Sequence, residues 1–226
     1  MCRGKKHCDV LGQDPNKWDQ YSPLPQLEWF EKELTKFIEA VDLFINGQKE
    51  LCIEKLLSIR NDELKEWSIE HGQMSGMHRM NHLQKDQPIA IDSSLRDPLR
   101  SPKKIEKLIF ERDGYRCRYC GVKLVSNQFF SKFIKSLDSN LFKKGPTNLD
   151  THGIIHIFNP VADHVIPWNL GGETNPENLV SSCGPCNYGK AGYTIEQIGI
   201  HDPFSRKPIV DSWDGLSSYL LKLKDL

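Results

Sequence analysis

The sequence predicts an α+β protein of 226 residues, in which a helical N-terminal domain, residues 1–95, precedes a mixed domain, residues 96–226. Two observations predict this division. Apolar residues recur at steps of three and four between Pro25 and Ile45, which is the period of an amphipathic helix. The second half instead contains short apolar runs that end in turn-forming residues, and such runs indicate strands. The chain is long enough to bury a core in one domain or in two small ones.

Three helices are predicted for the N-terminal domain. The first covers residues 25–45 and the second covers residues 48–58. The third begins at a cap formed by Asn61 or Asp62 and ends at Gly72, because glycine commonly ends helices. No residue pattern in this domain indicates chemistry. We therefore expect it to bind a protein partner, to form a homodimer or to regulate the second domain.

A boundary between the domains is predicted within residues 87–104, which contain three prolines and three serines. A helix follows, with Ser101 as its predicted cap and Gly114 as its end. Residues 126–158 are predicted to be an insertion in the second domain, and the insertion begins with a helix. It ends in an apolar run, residues 151–159, that predicts a strand.

The charges are unevenly distributed along a chain whose formal net charge is zero. The N-terminal domain has a net charge of −4 and the second domain +4, and residues 96–144 hold 13 Lys and Arg against 5 Asp and Glu. Such a basic segment favours nucleic acid as a partner, although a solvated charged face explains it equally well. The sequence has no run of eighteen apolar residues and no secretory signal, so we expect a cytoplasmic protein without a membrane span.

Four of the seven cysteines form two Cys-x-x-Cys pairs, Cys117 with Cys120 and Cys183 with Cys186. Two such pairs supply four thiolates, which is the tetrahedral ligand set of a structural zinc site. The alternative is two unrelated pairs of reduced cysteines. The small and turn-forming neighbours of both pairs favour zinc, because they let backbone amides approach the sulfur atoms.

An acid and a base stand side by side where a predicted strand ends. This strand covers residues 161–167, a second strand is predicted within residues 175–182, and a helix follows the second cysteine pair. The order of these elements places Asp163, His164 and Asn187 at one end of a small layer. A strand in a protein core gains little from an Asp-His pair, so the pair indicates a functional site.

Three stretches resemble the HNH nucleases, whose active site is a ββα-metal fold. They are Asp-His at 163–164, Glu-Asn-Leu at 177–179 and Cys-Gly-Pro-Cys-Asn-Tyr-Gly-Lys at 183–190. The helix and cysteine pair in residues 105–121 are similar to the lead-in of the zinc-bearing branch of that family. The resemblance covers roughly residues 101–203 without the insertion. It implies a ββα-metal nuclease domain with a structural four-cysteine zinc site and a helical insertion.

The resemblance also implies a role for each matching position. Asp163 would bind a catalytic divalent ion, and His164 would be the general base that deprotonates water. Asn178 would hold the loop between the strands. Asn187 stands in the place of the motif's final histidine, so the chain is an H-N-N variant, and its amide oxygen would be a second metal ligand. Two oxygen ligands favour Mg²⁺ or Mn²⁺. Lys190 would contact a phosphate of the substrate.

The activity implied by the resemblance is that of a metal-dependent endonuclease. It would hydrolyse phosphodiester bonds of DNA, leaving 5′-phosphate and 3′-hydroxyl ends, in restriction or phage defence. The alternative is a zinc-ribbon module that binds nucleic acid and has lost catalysis. Because Asp163, His164 and Asn187 are all present, the sequence favours the enzyme.

Overall fold

The structure of the protein, a computed structural model, describes residues 8, 10–25, 27–72 and 74–223. Within these residues, short helices surround a sheet of two strands. The α-helices are α1 (Glu28–Ile45), α2 (Lys49–Leu57), α3 (Asn61–Trp67), α4 (Ser75–His82), α5 (Glu106–Arg112), α6 (Asn127–Leu137), α7 (Gly153–Phe158), α8 (Gly184–Lys190), α9 (Ile195–Ile198) and α10 (Tyr219–Lys222). The strands are β1 (Val161–His164) and β2 (Leu179–Ser182). None of the helices in these described ranges has the length and apolarity needed to cross a membrane.

The two strands pair in antiparallel register, from Val161 opposite Ser182 to His164 opposite Leu179. α5 packs against both strands, and α8 packs against β1. The fully buried Ile109 of α5 joins Leu179 in a small apolar cluster beneath the sheet. Both predicted strands are therefore confirmed, although β1 ends at His164, three residues earlier than predicted. β1, β2 and α8 form a ββα layer.

The N-terminal helices follow the predicted pattern. α1 confirms the first helix, and its apolar stripe, which includes Leu34, Phe37 and Val41, is buried. α2 confirms the second helix. α3 continues into a π-helical turn that ends at Gly72, so the predicted third helix changes its hydrogen-bond pattern before its end.

The run of residues 151–159, predicted to be a strand, contains the helix α7 instead. All residues of α7 are buried, so the run has no alternation that could separate a helix from a strand. Two side chains outside the helix fix its start. Asn61 Oδ1 accepts the N–H of Gly153 at 2.7 Å, and His152 Nδ1 accepts the N–H of Ile154 at 3.2 Å. These bonds satisfy N–H groups that have no partner within a helix.

Two predicted helix starts also differ from the structure. α3 begins at Asn61 itself, with Arg60 in the cap position and no side-chain capping bond, because Asn61 caps α7. The helix predicted to begin after Ser101 is split into a 3₁₀ turn and α5, since the backbone of Ile105 leaves the helical region at φ −120°. Gly114 follows α5 with φ +62°, a left-handed conformation that glycine adopts without steric cost.

One hydrophobic core contains side chains from both sides of the predicted domain boundary. The ring of Phe37 in α1 lies 5.6 Å from the ring of Phe133 in α6 and stacks on that of Phe142 at 5.0 Å. All three side chains are fully buried. The insertion therefore packs on the N-terminal helices. The division of the chain at residues 95 and 96 stays a prediction, and the shared core favours folding of the two parts together.

α4 and α8 approach each other with their backbones in contact. A Cβ atom added at Gly76 would overlap the carbonyl oxygen of Gly189. A Cβ atom added at Gly189 would overlap the hydroxyl group of Ser75. Only glycine permits this approach, so the N-terminal part of the chain directly supports the helix that belongs to the ββα layer.

Candidate functional site

The four cysteines predicted to bind zinc form a single cluster. Their sulfur atoms all lie within 4.8 Å of one another, and those of Cys120 and Cys183 are 3.7 Å apart. Four sulfur atoms at about 2.3 Å from a zinc ion would be separated from one another by roughly 3.8 Å. Cys117, Cys183 and Cys186 are buried, and Cys120 is half-buried. The cluster could therefore bind a metal ion such as zinc.

Local structure positions both cysteine pairs. The N–H of Cys117 donates to the Val122 carbonyl at 2.9 Å, and the N–H of Gly121 donates to the Cys117 carbonyl at 2.9 Å, which folds the first pair into a tight turn. Cys183 is the N-cap residue of α8, and Cys186 lies in its first turn. Burial raises the pKa of the Cys183 thiol well above its ordinary value, so a thiolate at this position requires a nearby cation.

An open cleft lies at the end of β1. Its volume is about 490 Å³, and Asp163 and His164 both line it. The other lining residues come from the segment before α5, from β1, from the loop between the strands and from the chain just after α8. They are Arg96, Arg100, Pro102, Ala162, Pro167, Trp168, Asn169, Ala191 and Gly192. The cleft thus combines a carboxylate, an imidazole and two guanidinium groups.

Asp163 is buried at the cleft and held by two neighbours. Its Oδ2 accepts a hydrogen bond from the Tyr119 hydroxyl at 2.6 Å and lies 3.4 Å from the Nζ of Lys190. Burial raises the pKa of the Asp163 carboxyl, and the ammonium group of Lys190 partly offsets this effect. Burial also raises the pKa of Tyr119 well above its ordinary value, so its hydroxyl stays protonated and donates. The carboxylate is therefore fixed in one orientation.

His164 is half-buried, and its Nε2 lies 2.8 Å from the Oγ1 of Thr174. Thr174 is itself buried, and its N–H donates to the Oδ2 of Asp97 at 2.7 Å. Burial lowers the pKa of His164, the charges of Lys190 and Arg100 lower it further, and the Asp97 carboxylate opposes them. Because an unperturbed histidine has a pKa of about 6.5, the His164 imidazole is neutral near neutral pH.

Lys190 does not occupy the solvent-facing position that a phosphate contact requires. Its side chain is fully buried, and its Nζ donates to the His164 carbonyl at 2.6 Å in addition to its ion pair with Asp163. α8 packs against β1, and the ammonium group is enclosed between them. The phosphate contact predicted for Lys190 is therefore corrected: in this structure the lysine supports the end of β1.

The two asparagines of the motif have different surroundings. Asn178 Oδ1 accepts the N–H of Ile166 at 2.8 Å, and its Nδ2 donates to the carbonyls of Ile166 and Glu173 at 3.0 and 2.9 Å. These bonds close the loop between the strands, as a loop-holding role requires. Asn187 is half-buried on α8 and is absent from the residues that line the cleft. Ala191, four residues later, does line it. The role of Asn187 as a second metal ligand therefore stays a prediction.

Several residues around the cleft were missed by sequence reasoning. Arg96 and Arg100 lie in a segment whose prolines and serines predict a linker. A signal was present, because residues 96–104 hold four basic residues and one acidic residue. Tyr119 lies between the cysteines of the first pair, and Thr174 lies in the loop between the strands. Neither has a sequence signal of its own, since each reaches the site only through the folding of the chain.

Comparison with known families agrees with the resemblance. The model of the HNH endonuclease family matches residues 159–191, which contain β1, β2 and α8. The matched range includes Asp163, His164, Asn178 and Asn187, whereas the first cysteine pair lies before it. No curated protein and no solved structure matches the chain. Residues 159–191 thus match the HNH endonuclease family, which confirms the predicted resemblance within the broader range of residues 101–203 given for it.

Proposed function

We propose that this protein is a metal-dependent endonuclease that hydrolyses the phosphodiester bonds of DNA. The HNH match supports a nuclease-type function in general. One further observation supports the specific proposal: the carboxylate of Asp163 and the neutral imidazole of His164 line the same open cleft of about 490 Å³. A metal-binding acid and a general base are the groups that hydrolysis of a phosphodiester requires.

His164 is the proposed general base. If the hydroxyl of Thr174, 2.8 Å from Nε2, accepts the Nε2 proton, then Nδ1 is the basic nitrogen. Nδ1 takes a proton from a water molecule whose oxygen attacks the phosphorus atom. The bond to the 3′ oxygen then breaks, and this oxygen takes a proton from solvent. The products carry 5′-phosphate and 3′-hydroxyl ends.

Asp163 is the proposed ligand of a catalytic Mg²⁺ or Mn²⁺ ion. Its carboxylate is the ligand type that these ions prefer, and its burial makes a nearby positive charge favourable for the ionised form. When bound, the ion would polarise a phosphate oxygen and offset charge on the leaving oxygen. Asn187 is proposed to supply a second oxygen. Tyr119 and Lys190 are proposed to position the Asp163 carboxylate.

The four-cysteine cluster is proposed to hold a structural zinc ion. Four thiolates complete a tetrahedral site, so no position stays open for substrate. The ion would join the turn that contains Cys117 and Cys120 to the start of α8. The same helix ends with Lys190, which contacts Asp163. Zinc would thereby support the cleft without taking part in hydrolysis.

The experiment that tests the proposed function is cleavage of plasmid DNA by the purified protein with Mg²⁺ or Mn²⁺. His164→Ala should lower the rate by about 10²–10⁴-fold, which is the usual contribution of a general base. His201→Ala is the matched control, because His201 is exposed and lies outside the cleft, and this variant should cleave like the wild type. Both variants should retain zinc and the wild-type melting temperature. Equal cleavage by the wild type and His164→Ala would contradict the proposal.

A second function, nucleic-acid binding without catalysis, is favoured by one feature of the site. Asp163 is paired with a buried lysine, Lys190, at 3.4 Å, and Asn187 is not among the residues that line the cleft. This function predicts that the wild type binds DNA and does not cleave it with either cation. It also predicts equal DNA binding by the wild type and His164→Ala.

A further inference from the structure

The segment before α5, predicted to be a linker, is fixed against the loop that joins β1 and β2. The N–H of Ile91 donates to the Asn169 carbonyl at 3.0 Å. The Nε1 of Trp168 donates to the Asp97 carbonyl at 2.8 Å, and the N–H of Thr174 donates to the Asp97 carboxylate at 2.7 Å. These three bonds hold the segment beside the HNH match, outside the matched residues.

Two arginines of this segment line the cleft together with Asp163 and His164. The guanidinium carbons of Arg96 and Arg100 lie 5.2 and 5.0 Å from the centroid of the Trp168 ring. A cation over an aromatic face is attracted by the ring, so the tryptophan restricts where both charges can lie. The loop of the HNH match therefore positions side chains that belong to the preceding segment.

In the part of the chain that the structure describes, neither Arg96 nor Arg100 is held in an ion pair with a carboxylate, although the charge of Arg96 acts on the carboxylate of Asp92. Arg96 donates to a backbone carbonyl of its own segment, and Arg100 is exposed. Arg60 offers a contrast, since it packs 4.5 Å over Trp29 but is bonded to Glu63 at 3.2 Å.

We propose that Arg96 and Arg100 form a binding site for backbone phosphates of the nucleic acid, next to the bond that is cut. This inference rests on the proposed function, which assigns the cleft as the place where DNA is cut, but it concerns binding of DNA rather than hydrolysis. The ligand class is the phosphodiester backbone of DNA. Guanidinium groups suit it because their planar array of donors matches two oxygens of one phosphate.

The site formed by Arg96 and Arg100 is expected to bind the charged phosphates of DNA without distinguishing base sequence. Phosphate contacts fix the position and register of a nucleic acid, whereas base contacts give specificity. The lysine first assigned to this task, Lys190, is buried and unable to reach a phosphate in solvent. Arg96 and Arg100 thus take over the role that the sequence assigned to a residue of α8.

The test measures binding in the absence of cleavage. Fluorescence anisotropy of a short labelled DNA duplex gives the Kd of His164→Ala and of the same variant with Arg96→Gln and Arg100→Gln added, at several salt concentrations. The two added changes should weaken binding about tenfold or more. They should also reduce the slope of log Kd against log salt by about 1.8, since each phosphate contact contributes about 0.9. Arg60→Gln in the same background is the matched control and should change neither quantity.

The outcomes separate this inference from the proposed function. If the wild type cleaves DNA but the added substitutions leave Kd and salt slope unchanged, the phosphate site is refuted and the nuclease stands. If no cation supports cleavage but binding falls as expected, the phosphate site stands and the nuclease does not. Should the double substitution lower the melting temperature, Arg100→Gln alone decides, because Arg100 is exposed and its removal should reduce the slope by about 0.9.

Discussion

The buried side of the protein, which holds the core, and the open side, which holds the cleft, are built differently. On the buried side, the cysteine cluster and the aromatic core exclude water, and Cys183 and Phe37 are 2% and 0% exposed. On the open side, residues from three separate stretches of the chain line one cleft, and its charged and titratable side chains are those of Arg96, Arg100, Asp163 and His164. Stability and activity should therefore depend on different residues. Substitutions on the buried side should change unfolding, and substitutions on the open side should change cleavage while unfolding stays the same.

Cys183→Ser should abolish the stable fold. In a structural metal site the free energy of metal binding is part of the folding free energy, and loss of one thiolate removes much of it. Circular dichroism during heating and the zinc content of the purified protein measure the effect. Cys52→Ala is the matched control, because Cys52 is buried in α2 outside the cluster. This control should retain zinc. A Cys183→Ser variant with wild-type zinc content and melting temperature would exclude a structural role for the cluster.

Phe37→Ala should lower the free energy of unfolding by about 3–5 kcal/mol, the usual cost of removing a buried aromatic ring. Phe37 contacts the insertion as well as its own helix, so the whole chain should still unfold in one transition. Leu57→Ala, at a residue that is 64% exposed, should change stability by less than about 0.5 kcal/mol. A separate early transition for the N-terminal part would instead show that the two predicted domains fold independently.

Acid should destabilise the buried side through His152. Burial lowers the pKa of His152 to about 4, whereas an unfolded histidine has a pKa of about 6.5. Between these values the unfolded state binds a proton that the folded state does not, so stability falls as the pH falls from about 6.5 towards 4. The full difference corresponds to roughly 3 kcal/mol.

Urea unfolding at about pH 7 and at about pH 5 measures this loss of stability. His152→Asn is the informative variant, since asparagine is also a good N-cap residue and does not titrate. Its stability should fall less over the same pH range than that of the wild type. An equal fall in both proteins would show that other groups cause the acid sensitivity.

Thr174→Val should give the smallest effect, and on activity alone. Loss of the hydroxyl that faces His164 Nε2 removes one hydrogen bond, worth about 1 kcal/mol, and should lower kcat roughly fivefold. KM and the melting temperature should stay close to the wild-type values. Thr174→Ser retains the hydroxyl and should restore kcat. A Thr174→Val variant with a wild-type kcat would exclude Thr174 as a positioning residue for His164.

Short sequence signals were sufficient for the parts of the site that local structure determines. The first cysteine pair lies in a tight turn, the second lies at the start of α8, and the Asp163–His164 pair lies at the end of β1. The loop bonds of Asn178 also follow from a single side chain acting on nearby backbone. In each case the determining contacts lie within about a dozen residues along the chain or follow from a known ligand geometry.

Longer-range packing determined the parts that the sequence did not predict. All residues of α7 are buried, so its apolar run contains no period, and a distant asparagine, Asn61, sets the start of the helix. The spacing of Lys190 along α8 does not show which way the helix is turned, and contacts with β1 and α4 decide this. The proline and serine content of the segment that holds Arg96 and Arg100 is typical of a linker. Composition alone does not show that the segment packs against the loop between β1 and β2.

Because Gly76 of α4 contacts Gly189 of α8, a fragment of the chain that folds correctly around α8 must include α4. A fragment restricted to the HNH match would lose the contacts of α8 with α4, and the backbone around Gly189 would be exposed to water. A side chain introduced at Gly76 or Gly189 would push α4 and α8 apart and would displace Lys190, which forms an ion pair with Asp163. The N-terminal helices therefore support the ββα layer, even though none of their side chains is among those that line the cleft.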